Sequence, residues 1–177
     1  MWLRRKRAQS KPDQALAGIW ISTVLLERTA EVLRQSGGPG RAHEGVAYWA
    51  GRHAGGERFI TTCIAPAAST TYGSFVTSTK ANALVVRYLA SAGLELIGQV
   101  HSHPGGLVGH SEGDDEQALM PYEGFLSIVV PYYARDGMCP LTNCGVHVFE
   151  GSQFRRMSEV EIERRFHVVD ELADLRT

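Results

Sequence analysis

Apolar residues along this chain recur at two spacings, and each spacing predicts a different kind of element. Short apolar or alternating runs predict β-strands at 18–21, 45–51, 57–65, 94–100, 124–131 and 145–150. Apolar positions three and four residues apart predict helices over 23–35, 79–92 and 158–172, with a short helix over 111–119. Ser22 and either Ser78 or Thr79 are suitable N-caps for the first two helices, and Gly93 is suitable to end the second.

The interleaving of predicted strands and helices favours an α/β or α+β fold. Residues 66–75 are rich in Ser, Thr and Ala and predict a loop, as do residues 132–143. A length of 177 residues suggests one domain with a substantial core. The polar and basic residues 1–15 predict a mobile tail, followed by a folded domain at 16–177.

Composition and charge exclude several classes of function. Hydrophobic residues make up 44% of the chain and charged residues 21%, which is ordinary for a soluble globular protein. The net charge of −1 argues against nucleic acid and acidic membranes as partners. No apolar run approaches the length of a membrane span. Three cysteines are too few for a disulfide framework, so we expect a cytoplasmic protein.

The candidate chemistry follows the predicted strand at 94–100. His101 and His103 are two residues apart, so on a strand both imidazoles point to the same face. Pro104 lacks an amide hydrogen and ends the strand. After a glycine-rich turn, Ser111 is a suitable helix start, and Asp114 then lies about one turn further on the same face. Two imidazole nitrogens and one carboxylate oxygen are a common ligand set for catalytic zinc, whose fourth position holds water.

The identity and spacing of these residues resemble a known motif, the JAMM motif of the JAB/MPN family of zinc metallo-isopeptidases. The matching positions are Glu44, His101, Ser102, His103, Pro104, Ser111 and Asp114. The resemblance covers roughly residues 18–166 and is greater to the bacterial JAB branch than to the eukaryotic deubiquitinases. It implies a single MPN/JAB-like domain, similar to cytidine deaminases, in which helices flank a mixed central sheet.

The resemblance also implies a role for each residue. His101, His103 and Asp114 would hold one Zn²⁺ per chain, and Glu44 would act as the general base. By itself a glutamate at the start of a strand is usually a surface charge, so the resemblance carries this assignment. Ser111 has no spare histidine to activate it as a nucleophile, which leaves its hydroxyl as a donor to the developing oxyanion.

Several alternatives remain open at this point. Asp115 would be the ligand if the helix register slipped by one residue, although the motif spacing favours Asp114. His43 and His110 flank motif residues and would either orient substrate or be ordinary loop histidines. Cys139 and Cys144 are five residues apart, a poor match to structural zinc sites.

The main functional hypothesis is a metallo-isopeptidase or peptidase that cleaves after the C-terminal tail of a ubiquitin-like modifier. Resemblance to the bacterial branch implies operons that encode such a modifier with its activating and conjugating enzymes, some of them serving antiviral defence. One alternative is a small-substrate zinc amide hydrolase of sulfur or cofactor metabolism. Another is a non-catalytic MPN scaffold, although scaffold members typically lose the ligand residues that this chain retains.

Overall fold

The computed structural model describes residues 18–36, 42–111, 113–114 and 117–170. The predicted tail at 1–15 lies outside the described residues. Ten strands and three α-helices are present in the described part of the chain. In chain order they are β1 (Ile19–Ser22), α1 (Thr23–Arg34), β2 (Val46–Ala54), β3 (Glu57–Ile64), β4 (Ala68–Thr71), β5 (Ser74–Thr77), α2 (Thr79–Ala92), β6 (Glu95–Ser102), β7 (Leu126–Val130), β8 (Gly145–Glu150), β9 (Gln153–Arg156), α3 (Glu159–Arg165) and β10 (Phe166–Val169).

Eight of these strands form one mixed sheet, in the order β10-β1-β3-β2-β6-β7-β8-β9. β6 and β7 are parallel, and β1 is parallel to both of its neighbours, whereas the other pairs are antiparallel. β4 and β5 form a separate hairpin. The predicted mixed α+β architecture, with helices flanking a central sheet, is therefore confirmed. Among the described helices, none is both long enough and apolar enough to cross a membrane.

The helix ends follow the local signals in the sequence. The Ser22 hydroxyl accepts a hydrogen bond from the Leu25 amide at 3.2 Å, and the Ser78 hydroxyl accepts one from the Ala81 amide at 3.1 Å. Gly93 has a left-handed conformation with φ of 63°, which a side chain would disfavour. These three residues fix where α1 begins and where α2 begins and ends.

Each face of the sheet packs against a different helix. The larger core lies on the α1 side, where the buried Trp49 indole donates a hydrogen bond to Thr29 of α1 at 3.0 Å. On the opposite face, Tyr48 and Ala50 of β2 pack with Val85 and Leu89 of α2. Both clusters are nearly inaccessible to water, so the sheet is a rigid base for the residues at its edge.

Two predicted elements are wrong. Residues 66–75, predicted as a loop, contain β4 and the start of β5. The helix predicted over 158–172 ends at Arg165, and Phe166–Val169 instead forms β10, which pairs in parallel with β1. In both cases pairing with a neighbouring strand, and burial of Phe75 or Phe166, outweighs the local pattern.

Candidate metal centre

The two histidines of the motif lie where β6 ends. His101 is fully buried and pairs with Val46 of β2 on one side and Val129 of β7 on the other. His103 follows the last residue of β6 and is partly exposed. Because β6 is extended through Ser102, both imidazoles point to the α2 face of the sheet. Their Nε2 atoms are 3.2 Å apart.

The chain that leaves β6 is held by the end of the parallel strand β7. The His103 amide donates a hydrogen bond to the Val130 carbonyl at 2.9 Å, and the Tyr133 amide donates one to the His103 carbonyl at 2.9 Å. Tyr132, Tyr133 and Ala134 all have positive φ values between 54° and 58°. Side chains disfavour this backbone region, so the turn is strained where it supports His103.

Asp114 reaches the histidines from the short segment that begins at Ser111, which we call the cap. Its amide donates a hydrogen bond to the Ser111 hydroxyl at 3.2 Å. In return, the Ser111 amide and hydroxyl donate to Asp114 Oδ2 at 2.7 and 2.9 Å. This reciprocal arrangement is typical of a helix start and fixes the orientation of the carboxylate. Residues 112, 115 and 116 are not among the described residues, so the length of the predicted helix and the position of Asp115 lie outside them.

The three predicted ligands converge on one point. Asp114 Oδ1 is 3.1 Å from His101 Nε2, and Asp114 Oδ2 is 3.5 Å from His103 Nε2. Ligands bound to zinc at about 2.0–2.2 Å in a tetrahedral arrangement are roughly 3.3–3.5 Å apart. The observed separations of 3.1–3.5 Å are close to these distances, so the residues fit a zinc ion. Within the described residues, no other group of three His, Cys, Asp or Glu side chains is close enough to share a metal.

The electrostatics of His101 and Asp114 favour the forms that bind metals. Complete burial lowers the pKa of His101, so its imidazole is neutral. Burial would raise the pKa of Asp114, but hydrogen bonds from His101 and His103 hold it well below its usual range. Burial alone would lower the pKa of His103, but the Asp114 carboxylate and the Leu107 carbonyl raise it. A carboxylate between two imidazoles is a site prepared for a cation.

Glu44 lies beside this cluster rather than in it. Its amide donates a hydrogen bond to the Thr71 carbonyl at 2.8 Å, which joins the β4–β5 hairpin to the start of β2. Glu44 precedes Val46 by two residues, so it faces the same side of the sheet as His101. Burial raises the pKa of Glu44 to about 7; His103 opposes this rise and Asp114 adds to it. A carboxyl group with this pKa can accept and release a proton near neutral pH.

A small cavity joins these groups. It has a volume of about 170 Å³, and Glu44, Phe75, Ser111 and Asp114 are among its lining residues. The ring of Phe75, from the hairpin, lies 5.4 Å from the His101 ring and covers it. The Ser111 hydroxyl is bound to Asp114, so its role as an oxyanion donor stays a prediction. We did not anticipate Phe75, because its segment resembled a loop.

The two flanking histidines differ in their surroundings. His43 Nδ1 is 3.2 Å from the Thr70 hydroxyl, so it contributes to holding the hairpin. The His110 ring points into the protein, where Nε2 is 2.6 Å from the buried Ser127 hydroxyl. A loop histidine in a polar sequence shows no sign of this contact, because Ser127 is distant in the chain. Cys139 is exposed and Cys144 buried, and both are free thiols.

Comparisons with known proteins identify relatives of the chain. A family model for prokaryotic homologues of the JAB domain matches residues 26–140. A probable metalloprotease, y4jG, of Sinorhizobium fredii is 37% identical over 125 residues, which cover 66% of this chain and 75% of that protein. A solution structure of a Desulfitobacterium hafniense protein has a TM-score of 0.64 at 15% identity, covering 87% of this chain and 94% of the other, and shows a shared fold. A JAB1/MPN domain protein from Archaeoglobus fulgidus is 18% identical, with a TM-score of 0.46 and coverage of 86% and 96%.

We expect stability to fall as the pH drops from about 6.5 to about 4, partly because of His147. Burial is the main cause that lowers the pKa of His147 to about 4, from an ordinary value of 6.5, and the neighbouring His110 adds to it. Between these values the unfolded state binds a proton that the folded state excludes, so protonation favours unfolding. At about 1.4 kcal/mol per pH unit, the loss approaches roughly 3 kcal/mol.

Urea unfolding across this pH range provides the test. The His147→Leu variant should show a shallower decline in unfolding free energy than the wild type. Equal slopes in the two proteins would show that His147 does not contribute. Above pH 7 the imidazole of His147 is neutral in both the folded and the unfolded state. Measurements there give the reference difference in unfolding free energy between the two proteins.

Proposed function

The chain belongs to the family of prokaryotic homologues of the JAB domain, and from that premise we propose that it is a zinc metallopeptidase of the JAMM type. The observation that carries the proposal is the convergence of His101, His103 and Asp114, together with a cavity that both Asp114 and Glu44 line. The relative named a probable metalloprotease supports the same activity. The ligand set is intact, which disfavours a purely structural role.

The residues of the site divide the chemistry of amide hydrolysis among them. A zinc ion held by His101, His103 and Asp114 would act as a Lewis acid that lowers the pKa of water and polarises a carbonyl. Glu44 accepts a proton from the attacking water as its oxygen forms a bond to the carbonyl carbon. The same carboxyl group then delivers this proton to the nitrogen, so that the C–N bond breaks and a neutral amine departs. Ser111 donates a hydrogen bond to the developing oxyanion.

The proposed substrate is an amide bond that follows the slim C-terminal tail of a ubiquitin-like modifier. Gly105 supports this, because a side chain there would meet nothing within 4 Å and the backbone is open to an approaching chain. Gly106 has a different role, because a Cβ there would lie 2.5 Å from the Tyr132 hydroxyl. The outer edges of the two-stranded β4–β5 hairpin, which lies beside Glu44, offer main-chain groups to an extended tail.

The same proposal assigns a cellular setting. We place the protein in the cytoplasm, in line with its three free cysteines. Its partners would be a ubiquitin-like protein, the conjugates of that protein, and the enzymes that activate and conjugate it. The family resemblance favours an operon that encodes the modifier together with these enzymes and serves antiviral defence.

The purified protein is expected to contain close to one zinc ion per chain, because its three ligands match the separations that zinc requires. Elemental analysis of material never exposed to a chelator measures this. Asp114→Ala should remove the metal, whereas Asp115→Ala should retain it. Metal loss in Asp115→Ala alone would show that the ligand register is wrong by one residue.

Glu44→Gln should retain zinc and the fold but lose activity by about 10²–10⁴-fold or more, because the glutamine side chain cannot accept a proton from water. Ser111→Ala should lose on the order of 10²–10³-fold, the effect of removing one oxyanion donor. Steady-state kinetics on a modifier fused to a reporter measures both. Cleavage by Glu44→Gln at the wild-type rate would assign the base to another residue.

Cleavage should require a slim residue at the end of the modifier tail, because the proposed substrate approaches along the open backbone at Gly105. The test compares a cognate modifier–reporter fusion with a fusion whose terminal tail glycine is replaced by a bulky residue. The bulky change should abolish cleavage. Efficient cleavage of small acyl-amino acids, with none of the fusion, would instead indicate the small-substrate hydrolase.

A further inference from the structure

In the chain, His110 lies between the two parts of the metal centre, although the proposed chemistry does not use it. One part, His101 and His103, belongs to strand β6 and its end. The other part, Asp114, belongs to the cap that Ser111 begins. His110 immediately precedes Ser111, so the position of its side chain constrains where that cap starts.

The His110 side chain is held in a pocket behind the site. Its Nε2 is 2.6 Å from Ser127 Oγ, which is a hydrogen bond whichever group donates. Its ring centroid is 4.6 Å from that of Phe154, 4.7 Å from that of His147 and 5.8 Å from that of His101. These contacts reach β7, β8 and β9, and they also reach one of the predicted metal ligands.

The bonded partner, Ser127, has a fixed place in the sheet. It is fully buried on β7 and pairs with Gln99 of β6 and His147 of β8. Directly paired residues share a face of the sheet, and Gln99 precedes His101 by two residues. Ser127 therefore lies in the row next to His101, and the bond ties the loop to β7, the strand that pairs with the one carrying His101.

The remaining contacts of this loop lie further from Asp114. The Leu107 carbonyl is 2.9 Å from His103 Nδ1. The Val108 carbonyl lies so close to Gly145 that a Cβ there would be only 1.8 Å away. Leu107 itself is 84% exposed. Between Val108 and Ser111, His110 thus holds the loop to the sheet through its bond to Ser127 and its ring contacts with His147 and Phe154.

We propose that His110 is a positioning residue, whose bond to Ser127 holds the cap so that Asp114 meets His101 and His103. The inference rests on the proposed zinc centre. Without the bond, the loop would sample other positions, and metal binding would have to order it. Loss of a contact that orients a metal ligand typically weakens metal affinity by about 10–100-fold.

The test measures zinc affinity of the full chain by competition with a chromogenic chelator, together with the rise in Tm on adding zinc. His110→Leu keeps apolar volume but loses the bond, and Ser127→Ala removes the partner. Each should weaken zinc binding by roughly 10–100-fold and reduce the zinc-dependent rise in Tm. The double variant should be no weaker than either single variant, because both remove the same bond.

Two further variants separate positioning from general stability. His110→Gln can place an amide near Ser127 and should recover zinc affinity at least in part. His53→Gln changes a surface histidine whose Nδ1 contacts Glu95 at 3.1 Å, and should bind zinc as the wild type does. A purely structural role would lower the metal-free Tm while leaving zinc affinity unchanged, and would show no rescue by glutamine.

The outcomes distinguish this inference from the proposed function. A wild-type protein that binds no zinc would overturn the proposed function. Wild-type zinc affinity in both His110→Leu and Ser127→Ala would overturn the positioning role alone. Additive losses in the double variant would show that the two residues act separately, which also contradicts the proposal.

Discussion

The parallel pairing of β6 with β7 is the constraint on which the rest of the site depends. Parallel strands end at the same edge of a sheet, so the chain leaving β6 at His103 meets the turn that follows Val130. Backbone hydrogen bonds in both directions then fix His103. The buried apolar residues of β7 make this pairing stable, and the strained turn at Tyr132 is supported by it. The metal centre is thus built where two buried strands of the sheet end side by side.

Charge explains why these residues form a site rather than a stable core. A buried carboxylate between two imidazoles is favourable only if a positive charge compensates it. In the described structure the histidines themselves supply hydrogen bonds to Asp114. A divalent cation would supply the same compensation and hold both imidazoles neutral. Burial is the main cause that raises the pKa of Glu44, and the charges of His103 and Asp114 also affect it.

The surroundings of the centre divide into a hairpin side, formed by β4 and β5, and a fixed side, formed by contacts within the sheet. On the hairpin side, Phe75 contacts the His101 ring and the Thr71 carbonyl accepts a hydrogen bond from the Glu44 amide. On the fixed side, His110 and Ser127 form a polar contact within the packed sheet. Orientation of a metal ligand depends on such contacts as much as on the ligand itself. Under the proposed function, the hairpin would set specificity, whereas the contacts within the sheet would set the geometry of the ligands.

Local signals in the sequence predict much of the fold and the composition of the candidate site. Ser22, Gly93 and either Ser78 or Thr79 predict helix ends because capping acts within three or four residues, and Ser78 proves to be the cap of the second helix. The two-residue spacing of His101 and His103 predicted a shared face because side chains alternate on a strand. The mixed α+β architecture followed from the alternation of elements and from family resemblance. The roles of Glu44 and Ser111 stay predictions, because geometry alone does not establish them.

The remaining features follow from long-range packing and strand pairing, because each depends on a partner distant in the chain. Phe166–Val169 continues an amphipathic helical pattern, yet it forms a strand because β1 offers an edge for pairing. The β4–β5 hairpin has little apolar character of its own and is anchored through Thr71 to Glu44. His110 looks like an ordinary loop residue until Ser127, 17 residues away, is brought to 2.6 Å. Local signals specify elements, whereas burial and pairing across the sheet decide which residues meet.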